Sequence, residues 1–284
     1  MLFSSIPFLY YFLPLVVLLY LIVPRCLRNT VLLLTSLLFY AWGEPVYILL
    51  MVYSTLLDYS CGRMIEYGIQ QESQVIKRLF LAISLIGNLG LLCFFKYLMM
   101  FMSTANELLS LELEIPEIAL PIGISFYTFQ TMSYSIDVYR GKVKAQHNII
   151  NFGAYVAMFP QLIAGPVVRY ETIERELNDR HETLDDFAAG ARRFIIGLGK
   201  KTLIANIMAQ TADALFANPP SALGALGSWV AILAYTFQIF FDFSGYSDMA
   251  IGLGRVFGFH FIENFNYPYM SRSIGEFWRR WHMS

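Results

Sequence analysis

The chain has 284 residues, of which 57% are hydrophobic and only 14% are charged, whereas about a quarter of the residues in a soluble domain are charged. This composition, with a mean hydropathy of +0.52, excludes an ordinary soluble domain and predicts an all-α, polytopic integral membrane helical bundle. The net charge of −1 gives no support to a nucleic-acid partner, and the three cysteines lack the spacing of a metal site.

Long apolar stretches in the N-terminal half predict membrane-crossing helices. The first covers 6–23, which is long enough to cross as a helix. The second, 31–57, is interrupted only by Gly-Glu-Pro at 43–45. This triplet predicts the turn of a helical hairpin, because a charge and a proline are costly at mid-bilayer. Two further stretches, 79–102 and 118–136, are nearly or wholly without charge.

The charges of the connecting segments predict the orientation of these helices. Basic segments at 24–29, 62–78 and 139–148 alternate with an acidic turn at Glu44 and an acidic loop at 103–117. Because basic loops tend to stay in the cytoplasm, the alternation predicts five crossings that start from an extracytoplasmic N-terminus.

The pattern after residue 148 departs from simple crossings. The stretch 149–165 contains a proline, a glutamine and a glycine, which suits a re-entrant segment better than a crossing. Residues 166–190 are mixed in charge and are predicted to form a solvated loop within the membrane domain. In 187–208, Arg193 and Lys200 are seven residues apart and share a helix face, which predicts an interfacial amphipathic helix.

The next apolar stretch, 222–241, runs into carboxylates. Asp242 and Asp248 stand in or beside a segment otherwise suited to lipid, where a carboxylate is costly and usually faces a bundle interior or a wet cavity. One interpretation is a clamp between helices, such as a buried ion pair with Arg255. The other is the lining of a reaction chamber, and the residues leave both interpretations open.

Polar neighbours of these carboxylates fit the chamber interpretation. Tyr235, Gln238 and Asp242 fall on one helical stripe. Ser244 and Gly245 are predicted to break or bend the helix, which would free backbone groups to line a cavity.

The chain ends in EFWRRWHMS, which crowds aromatic and charged residues together. As a helix, this segment would place Trp278 and His282 four residues apart on one face and Glu276 within reach of Arg279 and Arg280. Taken alone, these residues favour an anchor at the membrane interface. The alternative is that aromatic side chains cover His282, where desolvation would keep the imidazole neutral and able to accept a proton from a hydroxyl.

Five motifs, in order along the chain, resemble those of the membrane-bound O-acyltransferase family. They are LLTSLLFYAWGEP, LPIGISFYTFQTMSYSIDVYRG, FPQLIAGPVVRY, QIFFDFSGYSDMAIG and NFNYPYMSRSIGEFWRRWHMS. The resemblance covers essentially the whole chain and points to the branch that acetylates bacterial exopolysaccharides such as alginate. It implies an all-helical bundle with re-entrant and interfacial helices, multi-pass in the bacterial inner membrane.

The resemblance also implies an activity. An acyl group would move from a cytoplasmic thioester, acetyl-CoA or another donor, towards hydroxyls outside the cytoplasm, with no bound cofactor. The implied partners are membrane lipid and a periplasmic acetyltransferase of the SGNH-hydrolase type, through which the polysaccharide acceptor is reached indirectly. The alternatives are D-alanyl transfer to teichoic acid and a non-enzymatic membrane scaffold for export or transport.

By the same resemblance, His282 matches the first of the family's two characteristic histidines. The second would follow further along. The chain is therefore expected to be the N-terminal part, 1–284, of a single membrane domain whose C-terminal part is missing, inactive alone, with His282 in a supporting role. The residues expected to line the chamber are Gln238, Asp242, Ser244, Tyr246, Asp248, Arg279 and Arg280.

Overall fold

The computed structural model describes residues 3–110, 114–116, 118–162 and 165–284. Within these residues the regular structure is helical, apart from one isolated antiparallel β-bridge between Phe265 and Trp281, so the predicted all-α class is confirmed. The described residues divide into two compact units. Unit 1 comprises 3–21, 165–168 and 179–284, and unit 2 comprises the described parts of 22–162 with 169–178.

The helices are numbered in chain order. They are α1 (Leu13–Ile22), α2 (Arg28–Gly43), α3 (Ile48–Gln70), α4 (Gln74–Leu109), α5 (Ile124–Tyr139), α6 (Ile149–Ala157), α7 (Phe159–Leu162), α8 (Tyr170–Asn178), α9 (Leu184–Gly199), α10 (Asn206–Phe216), α11 (Pro220–Val256) and α12 (Ile274–Arg280). A π-helical turn at Phe8–Phe12 leads into α1, and a second at Lys200–Ala205 joins α9 to α10.

Two helices in the described residues are long and apolar enough to cross a membrane. They are α4 and, from residue 222 onwards, α11, while Phe8–Ile22 forms a shorter apolar helix. The predicted stretches 79–102 and 222–241 fall inside α4 and α11. An apolar stretch marks only the lipid-facing part of a helix, so both helices extend beyond it.

The hairpin turn predicted at 43–45 is confirmed, because α2 ends at Gly43 and α3 begins at Ile48. The predicted loop 62–78 is wrong in its extent. Helices α3 and α4 continue into its polar sequence and leave only three residues between them. The predicted loop 103–117 is also shortened by the end of α4, and its residues 111–113 and 117 lie outside the described residues.

The helix predicted over 118–136 begins later than expected. Its start is at Ile124, because Pro121 has no backbone N–H and Gly123 adopts a left-handed conformation (φ 77°). A Cβ at Gly123 would also lie 2.9 Å from the carbonyl oxygen of Leu162. The chain therefore turns here before the helix can form.

The stretch 149–165 contains a break between α6 and α7. Met158 leaves the helical conformation with ψ 109°, and the proline of the stretch then lies in the first turn of α7, where its missing N–H is tolerated. The break is buried, and Phe159 N donates to Ser36 Oγ at 3.0 Å. Residues 163 and 164 lie outside the described residues.

The segment predicted as a solvated loop, 166–190, contains helices, and the segment predicted as a helix, 187–208, is helical. Helix α8 and the beginning of α9 lie within the first of them. The second runs through α9 and the π-helical turn into α10. The start of α9 is set by Thr183, whose hydroxyl accepts a hydrogen bond from Asp186 N at 3.0 Å.

The break predicted at Ser244 and Gly245 is wrong, because α11 is helical through both residues and departs from helical geometry at Gly224 instead. A Cβ on Gly245 would lie 2.8 Å from the carbonyl oxygen of Gly197 in α9, and one on Gly197 would lie 2.6 Å from that of Gly245. Gly245 therefore serves the close approach of two helices, as small residues commonly do at helix crossings.

Buried polar side chains join α3, α4 and α5 in unit 2. Asp58 in α3 is fully buried, and neutral hydrogen-bond donors of the neighbouring helices contact its carboxylate. The members of this cluster, here named the Asp58 cluster, are Ser54, Asp58, Ser84, Asn88, Thr131 and Ser135.

Candidate active site

The candidate site in unit 1 begins with an ion-pair network between α9 and α11. Asp248 Oδ1 accepts from Arg193 Nε at 3.1 Å and Nη2 at 2.9 Å, and Asp248 Oδ2 accepts from Lys200 Nζ at 2.6 Å. Arg193 also binds Glu263 through both terminal nitrogens. The hydrogen bonds to Glu263 and Asp248 raise the pKa of the Arg193 guanidinium, so it stays charged.

The ion pair expected between a carboxylate of α11 and Arg255 does not form with Asp248. Arg255 Nη2 lies 2.9 Å from Asp186 Oδ1, near the start of α9. Asp248 and Arg255 are seven residues apart on one helix, which separates them by about 10 Å of rise. The clamp between helices exists, but its cations come from α9 and the turn that follows it.

A cavity of about 520 Å³ lies beside this network. Its volume is in the range of small-molecule sites. Among the lining residues, Ser244 Oγ, Ser247 Oγ and Asn264 Nδ2 are buried atoms with no hydrogen-bond partner in the described residues. The lining consists of Arg193, Lys200, Phe240, Ser244, Ser247, Asp248, Glu263, Asn264, Phe265, Asn266, Tyr267 and Met283. No group of three metal-ligating side chains occurs in the part of the chain that the structure describes.

The tail leaves the helix before His282. Ser273 caps α12 by accepting from Glu276 N at 3.2 Å, and the helix ends at Arg280. Trp281 is extended and pairs with Phe265 in the β-bridge. The expected placement of Trp278 and His282 on one helix face is therefore wrong, and Trp278 is 63% exposed.

His282 is half-buried and has a left-handed backbone (φ 50°), which is uncommon for a residue other than glycine. Its Nδ1 lies 2.8 Å from Asn264 Oδ1. The ring of Phe243 in α11 packs edge-on against the imidazole, with centroids 5.0 Å apart. Desolvation lowers the pKa of His282, so the imidazole is neutral at pH 7.

Of the seven residues predicted to line the chamber, Ser244 and Asp248 line this cavity. Gln238 is half-buried, and its Oε1 has no partner in the described residues. Asp242 is paired with Lys201 and does not belong to the lining.

The other three predicted lining residues also lie away from the cavity. Tyr246 is buried and stacks on Phe3, with ring centroids 4.6 Å apart. Arg279 is exposed. Arg280 Nη2 pairs with Glu276 Oε1 at 2.8 Å, as the helical spacing predicted.

Ten of the twelve residues that line the cavity were not among the predicted lining residues, and three of them show why. Ser247 follows Ser244 by three positions and lies on the same face of α11, so helical spacing could have identified it. Glu263 and Asn264 stand in the irregular segment after α11, where no periodicity marks them. Only the return of the chain after α12 brings Asn264 to His282.

A pair of substitutions tests the ion-pair network. We expect Asp248→Ala to lower the free energy of unfolding by about 1–3 kcal/mol, because it removes the carboxylate that Lys200 and Arg193 share and leaves Arg193 with Glu263 alone. We expect Asp242→Ala to change it by less than about 1 kcal/mol, because the Asp242 side chain is 44% exposed, against 15% for Asp248. Thermal unfolding in detergent measures both, and equal losses would contradict the assignment of Asp248 as the central carboxylate.

Comparisons with known proteins address the whole chain. The family model described as MBOAT, membrane-bound O-acyltransferase family, matches residues 44–284. The chain is 45% identical to the probable alginate O-acetylase AlgI of Pseudomonas aeruginosa, and the alignment covers 55% of that protein's length. It is 46% identical to the probable alginate O-acetylase AlgI of Azotobacter vinelandii, and the alignment covers 57% of that protein's length. It is 34% identical to the peptidoglycan O-acetyltransferase of Helicobacter pylori, which it covers to 59%. All of this chain is aligned in each case, so it spans little more than half the length of these relatives.

Proposed function

The chain belongs to the membrane-bound O-acyltransferase family, and from this premise we propose that it supplies part of an O-acyltransferase site. The proposed reaction moves an acetyl or other acyl group from a cytoplasmic thioester towards hydroxyls of an extracytoplasmic polysaccharide such as alginate. The resemblance on which the sequence analysis relied is confirmed by the family match and by the identity to the alginate O-acetylase relatives.

The observation that carries the proposal is the cavity with His282 beside it. Serine and asparagine side chains without partners line the cavity, and a carbonyl or hydroxyl group of a reactant would satisfy them. His282 is bound to Asn264 of the lining and is held neutral by desolvation. A neutral imidazole is the form that can take a proton from a hydroxyl, and we assign His282 a supporting role in this transfer.

The proposed arrangement in the membrane is a multi-pass bundle in the bacterial inner membrane with an extracytoplasmic N-terminus. The alternation of basic and acidic segments and the two long apolar helices support it. The buried break at Met158 supports a re-entrant segment, because irregular backbone at membrane depth is tolerated only where protein or water covers it. The helical segment 187–208, in which Arg193 and Lys200 share one face, is proposed to be interfacial.

The proposed donor is acetyl-CoA or another thioester. The proposed partner is a periplasmic acetyltransferase of the SGNH type that completes delivery, so the polysaccharide is reached indirectly. Membrane lipid surrounds the bundle, and no cofactor needs to remain bound, because a thioester already carries an activated acyl group.

Complementation tests this proposal. A bacterium that makes alginate and lacks its own membrane acetylase would express the protein as its gene encodes it. We expect acetyl esters to return to the exported polysaccharide, measured by NMR of the purified polymer. D-alanyl esters on teichoic acid in a matching Gram-positive deletion strain would favour the D-alanyl alternative. Restored export without any ester would favour the scaffold, and both outcomes would overturn the proposal.

A further inference from the structure

The segment after α11 pairs with the tail through their backbones. Met283 N donates to the carbonyl oxygen of Asn264 at 3.0 Å, next to the β-bridge between Phe265 and Trp281. This antiparallel pairing sets the side chain of Asn264 beside the ring of His282. Its geometry is fixed by main-chain hydrogen bonds, which do not depend on the identity of either side chain.

Asn264 is 1% exposed, and its Oδ1 receives two hydrogen bonds. One comes from His282 Nδ1 at 2.8 Å and the other from Ser284 Oγ at 3.0 Å. A carbonyl oxygen can only accept, so Nδ1 must carry the proton of the neutral ring. The hydrogen bonds of the imidazole in the described residues all involve Nδ1, which leaves the lone pair of Nε2 available.

We propose that Asn264 is the positioning residue for His282: it keeps the proton on Nδ1 and leaves the lone pair of Nε2 free to accept a hydrogen bond from a reactant hydroxyl. The presence of that hydroxyl rests on the proposed function, whereas the position of the proton does not. Partner side chains of histidines commonly set which ring nitrogen is protonated.

The surroundings of the ring support a role for Asn264 beyond packing. In the described residues, the ring and hydrogen-bond contacts of the imidazole are with Phe243, Asn264 and Ser284, none of which has a charged side chain. No ion pair of the ring occurs in the part of the chain that the structure describes, and the Asn264 amide makes the shorter of its two polar contacts, at 2.8 Å against 3.3 Å for the Ser284 hydroxyl. The left-handed backbone of His282 persists only because the neighbouring structure holds it, as is common at functional sites.

This tautomer suits the supporting role assigned to His282. Nε2 accepts a hydrogen bond from the acceptor hydroxyl and helps to orient it, while the ring keeps its proton on Nδ1, held by Asn264.

Nitrogen-15 NMR of the histidine side chains tests the tautomer directly. The chain contains four histidines, and the other three are exposed, so His147→Gln, His181→Gln and His260→Gln remove their signals, and comparison with His282→Gln then assigns the signal of His282 in the protein as its gene encodes it. In nanodiscs at a pH above the pKa of His282, we expect Nδ1 to carry the hydrogen and Nε2 to show the shift of an unprotonated nitrogen. A proton on Nε2 would overturn the proposal.

Two substitutions separate positioning from packing. Asn264→Asp keeps the acceptor oxygen, so we expect the same tautomer and a raised pKa for His282. Asn264→Leu removes the acceptor, so we expect the proton to redistribute towards Nε2. An unchanged tautomer in Asn264→Leu would overturn the proposal, and if that variant does not fold, loss of the Nδ1 proton in Asn264→Asp would do so. Ser284→Ala is the control, because Asn264 alone should suffice.

The two proposals can fail separately. If complementation yields no acetyl ester but the proton lies on Nδ1, the acyltransferase function fails and the positioning role stands. If acetyl esters appear while the proton lies on Nε2, the positioning role fails and the function stands.

Discussion

Replacing His282 by alanine in the protein as its gene encodes it is expected to lower polysaccharide acetylation by about 100-fold. Proton transfer by a positioned side chain contributes about 10²–10⁴-fold to catalysis, and the lower end suits a supporting residue. His282 is half-buried, neutral at pH 7 and hydrogen-bonded to a residue that lines the cavity, so its loss removes a supporting polar group without removing the cavity. The acetyl content of the polymer, measured by NMR, reports the effect.

A matched control distinguishes chemistry from general damage. His181→Ala is the same substitution at an exposed histidine of the same unit, outside the cavity lining. We expect wild-type acetylation from it and equal membrane insertion of both variants. Wild-type acetylation by His282→Ala would remove any functional role from this histidine.

The second large effect is expected on stability, from the Asp58 cluster. Asp58 Oδ1 accepts from the Ser84 and Ser135 hydroxyls, the latter at 2.8 Å, and Oδ2 accepts from Asn88 Nδ2 at 2.6 Å. Asn88 Oδ1 in turn accepts from Ser54 Oγ at 3.1 Å. One carboxylate therefore organises donors from two other helices.

We expect Asp58→Ala to lower the free energy of unfolding by about 2–4 kcal/mol, because it leaves several buried donors without an acceptor. Thermal unfolding in detergent would show the loss as a lower Tm. A Tm within error of the wild type would contradict the account of the cluster.

An exchange of the carboxylate and the amide provides the sharper test. Asp58→Asn alone sets two amide NH₂ groups against each other at Asn88 and is expected to cost about 1–2 kcal/mol. Adding Asn88→Asp restores a complementary pattern. The new carboxylate at 88 accepts from its neighbours, while the amide oxygen at 58 still accepts from Ser84 and Ser135. We expect the double variant to recover most of the loss, and no recovery would argue against a specific hydrogen-bond pattern.

The sequence predicted those turns and helix ends that depend on the residues at the turn itself. Gly-Glu-Pro at 43–45 predicts a turn whatever surrounds it, and the structure turns there. The late start of α5 also had a local signal in Pro121 and Gly123, which the uncharged stretch obscured. The break predicted at Gly245 failed because the reason for that glycine is Gly197, a neighbour that no pattern within α11 reveals.

Contacts between residues distant in sequence were also the part of the site that could not be predicted. His282 could be found from its motif, but its partner Asn264 lies 18 positions earlier in an irregular segment and meets it only through the pairing of two loops. Asp58 was missed for a narrower reason. The apolar stretch was taken to end at residue 57 and the next basic segment to begin at 62, so the buried carboxylate between them was assigned to neither.

The central claim is that the cavity beside His282 belongs to an acyl-transfer site, and transfer in sealed vesicles tests it most directly. Inside-out vesicles carrying the protein as its gene encodes it, with the polysaccharide acceptor and its periplasmic partner enclosed, would receive acetyl-CoA labelled in the acetyl group. We expect label on the enclosed acceptor with the wild type and with His181→Ala. We expect only background with His282→Ala and with Ser247→Leu, which fills the cavity. Equal labelling by all four proteins would contradict the claim.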